Sequence, residues 1–338
     1  VYASFFLAFF FWLQAHDGGR EFAGKSPAGN ISTRHSAIQK SARPEKFQDR
    51  KPILFEMPAL KPGEVPVYHL GYALVYNEPH EQATWVAYEL TAAETEKVYG
   101  RSDRFRQDPL VVSGTADDAD YAGSGYDRGH LAPAADMGWS ATAMEESFYY
   151  SNMSPQAPSF NRGIWKKGED LIRTWARAYG RLFIATGPVL DARLPKIGPA
   201  GVSVPRFFFK VVLDTSGPEK KGIGFWIPNQ GSALPLSAFA YPIDSIEAWT
   251  GLNFFPKLSL QTAHLAEGSL CLECWSWGKT KFVNGPKRKP YPAMDTEQLV
   301  PGYKSEGVAN QCLGTTKKGV RCRRKTRSAN GFCWQHGG

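Results

Sequence analysis

Hydrophobic positions along the chain fall into one unbroken block, a polar gap, and then a long region of alternating and helical spacing. The block is Val1–Ala15 (VYASFFLAFFFWLQA), uncharged throughout. It is shorter than the roughly 20 apolar residues that a spanning helix needs. It suits the apolar part of an export signal that has lost its first, basic residues, with a shortened membrane anchor as the rival reading. The expected location is therefore periplasmic or extracellular, with the membrane a partner only if this segment is an uncleaved anchor. From His16 to Lys61 the chain is rich in Gly, Ser, Pro, Lys and Arg with few large apolar residues, and it reads as a flexible linker.

Patterning resumes near Val65. VPVYHLGYALVYN and ATWVAYELT carry β-branched and aromatic residues on either side of a polar turn, and read as paired strands. Thr91 then opens TAAETEKV, a short helix with Thr91 as N-cap. Residues 99–125 read as loop, Ser140–Tyr150 as helix, and Ser151–Ser159 as a Pro-containing loop. Asn161–Tyr179 shows helical spacing with Ile164, Trp165, Leu171, Ile172 and Trp175 on its apolar side. RLFIATGPVL, VPRFFFKVVLD and GIGFWIPNQ read as largely buried strands, AFAYPI as a further strand, and SIEAWTG as a helix capped by Asp244 and stopped by Gly251. Strands and helices without regular βαβ alternation predict an α+β fold. The implied organisation is a signal or anchor over 1–15, a linker over 16–61, a main domain over 62–257, a basic connector over 258–309, whose opening stretch Leu258–Leu270 reads as either one more helix or part of the connector, and a small module over 310–338.

Composition refines this picture in two places. The 338 residues carry a formal net charge of +8, and between Lys279 and Arg327 thirteen Lys or Arg face three acids. A basic excess of that kind favours a polyanionic partner such as nucleic acid. All five cysteines lie after residue 270, so the main domain holds no disulfide framework.

The candidate chemistry lies between Tyr126 and Arg173. His130 sits in the tetrapeptide Asp127, Arg128, Gly129, His130, and Asn161 follows a Pro-Gln turn. Hydrolysis of a phosphodiester needs an activated water and neutralisation of charge on the phosphorus oxygens. A His can take the proton, and Mg²⁺ can bind those oxygens while resting on only one or two protein oxygens. His130 and Asn161 fit these roles, with Gly129 permitting close backbone approach. Glu169 and Arg173 follow Asn161 by eight and twelve residues, a spacing that places all three near one face of a continuous helix. Glu169 could hold a water of the ion's shell, and Arg173 could meet phosphate.

SGYDRGHLAPAADM together with NMSPQAPSFNRGIW resembles the DNA/RNA non-specific endonucleases, the group that includes endonuclease G. Upstream, RSDRFRQD resembles the family's Arg-x-x-x-Phe-x-x-Asp element through Arg101, Phe105 and Asp108, and IATGPVL, Val204-Pro205 and SIEAWTGLNFF resemble its later segments. The resemblance covers about residues 65–255. It implies a ββα-metal fold with a central mixed or antiparallel sheet flanked by helices, in which two strands and a helix bracket one Mg²⁺, with Mn²⁺ an acceptable substitute. It implies His130 as general base, Asn161 as the direct metal ligand and Glu169 as the residue that orients the ion's water. Arg101, Arg128 and Arg173 would meet the phosphate or the transition state, with Asp127 supporting. Such a site reads backbone and not bases, so both DNA and RNA are expected substrates and a 5′-phosphate the expected product. The alternatives are a nucleic-acid-binding protein whose nuclease-like domain has lost activity, and a metal-dependent phosphatase acting on small esters.

The tail supplies a second candidate site. Cys312, Cys322, Cys333 and His336 have the form C-x9-C-x10-C-x2-H, which matches a structural Zn²⁺ site and resembles small bacterial Cys/Cys/Cys/His tail modules. A disulfide plus a remaining thiol is the other reading. The interleaved lysines and arginines would hold nucleic acid or form a solvated face. Cys271 and Cys274 form a lone CxxC for which a local disulfide, half of a metal site and plain thiols all stay open.

Overall fold

The computed structural model describes residues 55, 57–218, 220–278, 310–311, 322 and 325–326. The readings made for residues 1–15 and for most of 16–61, and those for Cys312, Cys333 and His336, lie outside the described residues. Of the four tail ligands proposed from sequence only Cys322 is described, and it is buried. Among the described residues no helix is long and apolar enough to cross a membrane.

The chain folds around a seven-stranded antiparallel sheet. Its strands are β1 (Pro66–Tyr68), β2 (Ala73–Asn77), β3 (Gln82–Thr91), then β6 (Arg181–Pro188), β9 (Phe207–Asp214), β10 (Lys221–Pro228) and β11 (Ala240–Tyr241), adjacent in that order. Between β3 and β6 the chain leaves the sheet. It forms α1 (Asp118–Tyr121), β4 (Asp127–His130), α2 (Ala141–Glu146), β5 (Met153–Gln156) and α3 (Lys166–Tyr179). Short strands β7 (Lys196–Ile197) and β8 (Val202–Ser203) pair before β9, and α4 (Ile243–Thr250) and α5 (Leu260–Ala266) follow β11. The α+β class and the flanking helices follow the sequence reading, and the large sheet is antiparallel throughout.

Period-two alternation sends side chains to two cores. Leu182, Ile184, Phe208, Val212, Ile223 and Phe225 face α3, whose Ile172 and Trp175 are buried against them. Phe183, Ala185, Phe209, Val211 and Leu213 face α4 and α5. Each such aromatic or branched side chain withdrawn from water contributes about 1.5–3 kcal/mol. A Cβ on Gly222 would meet the Ala266 carbonyl oxygen at 2.3 Å, so only glycine lets the end of α5 lie this close to β10.

Several boundaries differ from the sequence reading for local reasons. TAAETEKV makes only a 3-10 turn, Ala93–Thr95, because the N–H groups of Val98 and Tyr99 bond to Gly138 O instead of extending a helix. The helix at Ser140 ends at Glu146, well before Tyr150. Asp244 lies in the first turn of α4 and does not cap it, since the N-cap position is Pro242. The packed body also runs past residue 257, where the sequence reading began a basic connector. Cys271 and Cys274 form a disulfide, and Trp275 then stacks at 4.4 Å on Trp175 of α3.

The α4–α5 region holds three carboxyls, Asp244, Glu247 and Glu267, that burial pushes upward. Burial, then the charges of Glu247 and Asp244, push Glu267 up to about 9, and its Oε1 has no hydrogen-bond partner among the described residues. Burial pushes Glu247 up to about 7, against a hydrogen bond from Phe254 N–H. A carboxyl raised in the folded state costs stability as pH climbs from its unfolded value, near 4.5, to its folded value. Glu267→Gln should therefore raise Tm more at pH 9 than at pH 5, measured by thermal denaturation. An equal gain at both values would show that Glu267 does not titrate in that window.

Candidate active site

The site is assembled on a two-stranded ribbon beside the main sheet. Strands β4 and β5 are antiparallel with His130 opposite Met153 and Arg128 opposite Pro155. Residues 151–159, which read from sequence as a Pro-containing loop, include β5: Pro155 cannot donate to a ladder, and a two-stranded ribbon tolerates it. Gly129 is required here, since a Cβ would lie 2.1 Å from Gln156 Cδ. The backbone after β4 is fixed by side chains from three directions. Trp165 Nε1 donates to His130 O at 3.4 Å, Lys210 Nζ to Leu131 O at 3.4 Å, and Asn152 brackets Ala132 N and O at 2.9 Å each.

His130 is 8% exposed and lies edge-on to Phe148 at 4.8 Å and to Phe105 at 5.9 Å. Its Nε2 is buried without a hydrogen-bond partner among the described residues. Burial, then the charges of Arg101 and Arg128, hold its pKa down at about 3, so the ring is a neutral imidazole. Arg128 stacks over the Phe105 ring at 3.9 Å and Arg101 over Phe148 at 4.9 Å. Two guanidinium groups and two phenyl rings thus surround one imidazole.

Beside this stack opens a cleft of about 600 Å³ lined by Arg101, Arg128, Arg162, Asp127, Asn161 and Phe105, among others. Asn161 Nδ2 donates to Asp127 Oδ2 at 3.0 Å. A carboxylate only accepts, so this bond fixes the amide orientation and leaves Oδ1 as the atom able to serve a cation. Arg162 grips the same carboxylate with Nε at 2.9 Å and Nη2 at 2.6 Å. Burial would raise Asp127, but the hydrogen bonds of Arg162 and Asn161 outweigh it and hold the carboxylate below its ordinary range. Among the described residues no three His, Cys, Asp or Glu side chains cluster to hold a metal. A single fixed amide oxygen fits an ion that keeps most of its water, which is the habit of Mg²⁺.

Of the sequence-predicted residues, Glu169 and Arg173 are not among those that line the cleft. Asn161 stands in a π-helical turn, Phe160–Trp165, whose Gly163 leaves helical geometry at φ −106°, ψ −110°, and regular α3 begins only at Lys166. The eight- and twelve-residue spacing therefore does not place Asn161, Glu169 and Arg173 on one helical face. Arg173 is 7% exposed, donates from Nη1 to Asp136 Oδ1 and from Nη2 to Asp170 Oδ1 at 2.6 Å each, and does not line the cleft. Asp136 also accepts from Tyr88 Oη at 2.9 Å. Burial pushes Glu169 upward, countered first by the Lys210 charge, and burial pushes Lys210 downward, countered by Glu169.

The sequence reading missed Arg162, Asp136 and Lys210. A signal existed for Lys210, a charge inside the apolar run FFFKVVL, which a buried strand admits only with a partner. The segment holding Arg101 and Phe105 is anchored by Asp108, which joins His69 Nε2 at 2.9 Å and accepts from Ser151 Oγ at 2.5 Å. Burial would lower His69, but the hydrogen bonds and charges of Asp108 and Glu146 outweigh it and keep it raised.

Comparison with known proteins agrees with this geometry. A family model described as DNA/RNA non-specific endonuclease matches residues 56–261. The chain is 37% identical over 213 residues to endonuclease G, mitochondrial, of Homo sapiens, covering 58% of this chain and 71% of that protein. It is 36% identical over 221 residues to nuclease C1 of Cunninghamella echinulata var. echinulata, covering 60% and 85%. A crystal structure of the EndoG/EndoGI complex matches with a TM-score of 0.57 at 30% identity, over 63% of this chain and 93% of the other.

Proposed function

The chain belongs to the DNA/RNA non-specific endonucleases and is a nuclease that hydrolyses phosphodiester bonds; on that premise we propose that His130 is its general base and Asn161 its ligand for Mg²⁺. The observation that carries this reading is the buried, neutral Nε2 of His130, without a hydrogen-bond partner among the described residues, beside an arginine-lined cleft that also holds Asn161. A neutral imidazole nitrogen with no protein donor accepts from water, and that is the proton it would take. Arg101 and Arg128 would meet the non-bridging oxygens of the scissile phosphate. Arg162, fixed on Asp127 beside Asn161, would meet the same phosphate or its neighbour. Asp127 supports the site by holding Asn161 and Arg162 in place. When bound, Mg²⁺ supplies charge neutralisation at the phosphate oxygens. Glu169 would order water around the site, with its charge supported by Lys210.

Contacts of this kind are made to phosphates, so cleavage of DNA and RNA with little sequence preference and steep salt sensitivity is the proposed behaviour. A plasmid-nicking assay with Mg²⁺ and with EDTA tests it; purified protein that shows no Mg²⁺-dependent nicking would remove the proposal. Asn161→Ala should weaken the Mg²⁺ response by at least about 10–100-fold, the loss seen even for outer partners of a metal site. The measurement is the Mg²⁺ concentration at half-maximal rate. An unchanged midpoint would assign the ion to other residues.

A further inference from the structure

Each arginine facing the cleft carries its own carboxylate. Arg162 is on Asp127, Arg128 on Asp118 and Arg101 on Asp103. The first pair is structural, since Asp127 is 17% exposed and also holds Asn161. The Arg128–Asp118 pair is different. Asp118 is 71% exposed and begins α1, where a capping box of Asp117 and Asp120 sets the helix start. Its Oδ1 accepts from both Arg128 Nη1 and Tyr150 Oη. Arg128 thus sits between a carboxylate and the Phe105 ring, already neutralised where a substrate phosphate would arrive. A solvent-exposed pair of this kind is worth only about 0.2–1 kcal/mol, so a phosphate can displace it.

We propose that Asp118 is a specificity-determining residue, an internal counter-anion on Arg128 that a nucleic-acid phosphate must displace. A single small anion gains little from the exchange, because it trades one anion for another on Arg128. A polyanion makes the same exchange while its neighbouring phosphates, held at high effective concentration by the strand, are exchanged onto Arg101 and Arg162 in the same binding event. The cleft therefore discriminates against isolated phosphate and favours a strand. This inference rests on the nuclease reading of the cleft.

Binding measured without cleavage separates the two ideas. The probe is a fluorescently labelled single-stranded oligonucleotide, followed by anisotropy in EDTA with the full chain over a series of salt concentrations. Asp118→Asn should bind up to about five-fold more tightly at low salt. With Asp118 present, Arg128 adds no net neutralisation of phosphate; without it one more phosphate is neutralised. The slope of log Kd against log salt should accordingly steepen by about 0.7. Inorganic phosphate should compete more strongly on Asp118→Asn than on wild type, and Asp118→Glu, which keeps the charge, should keep the wild-type slope. Equal affinities and slopes for wild type and Asp118→Asn, whether strong or immeasurably weak, would overturn the proposal. So would Asp118→Asn binding like wild type while losing turnover in Mg²⁺. Failure of wild type to nick DNA in Mg²⁺ would instead remove the nuclease mechanism and leave the binding comparison to be judged by itself.

Discussion

His130→Ala should lower plasmid nicking by about 10²–10⁴-fold, the range that a positioned general base contributes. Fold and oligonucleotide binding should stay close to wild type, because the phosphate-facing groups Arg101, Arg128 and Arg162 are held by other partners. The substitution leaves a small space between Phe105 and Phe148, whose edge-to-face packing at 5.0 Å remains. The pH dependence carries a second part of the prediction. Burial and the two arginines lower the His130 pKa to about 3, so acidification from pH 8 to pH 5 leaves its neutral form populated in the free protein. A fall in kcat/KM over that window would then belong to another group, and Glu169, pushed upward by burial, is the candidate. Near-normal turnover in His130→Ala, measured on protein whose circular dichroism matches wild type, would show that the base is elsewhere.

How much of this was legible in the chain depended on how local the cause was. Runs of β-branched and aromatic residues in ATWVAYELT and in the largely buried strands after residue 180 placed β3, β6, β9 and β10, because such a run carries its own preference for a strand. β5 was hidden, since a strand containing Pro155 is made only by pairing with β4, a partner 23 residues upstream at the His130–Met153 register. The helix arithmetic from Asn161 to Arg173 failed at Gly163, whose non-helical backbone breaks the period. No count along a sequence reveals that break, although a glycine at that place is a warning. The aromatic stack around His130 is likewise non-local, bringing Phe105 and Phe148 together from either side of β4.

Charge was the least legible property. The arginines read from sequence as one group of phosphate ligands divide by burial into two kinds. The side chains of Arg101 and Arg128 are exposed at 53% and 38% and line the cleft, whereas that of Arg173, on α3, is 8% exposed and paired with Asp136 and Asp170. Side-chain exposure decides which of them can exchange its carboxylate for a polyanion's phosphate at little cost. The exposed pairs cost little to open, and the buried pair holds a fold element in place.

Arg173→Met should therefore act first on stability, lowering it by about 3–5 kcal/mol in urea denaturation, the cost of stranding a buried charge. Asp136 is 1% exposed and would keep Tyr88 as a hydrogen-bond donor, with Lys210 as a nearby cation. Burial raises the free energy of the ionised carboxylate, and loss of the guanidinium removes what compensates it. Adding Asp136→Asn to Arg173→Met removes the stranded charge and keeps an oxygen for Tyr88, so the double variant should recover much of the loss. That recovery distinguishes an ion pair within the fold from a phosphate ligand: a ligand's removal would leave stability unchanged and raise KM, and no change at Asp136 would restore it. Arg173→Met that melts like wild type while losing oligonucleotide affinity would place Arg173 on the substrate, as the eight- and twelve-residue spacing first suggested.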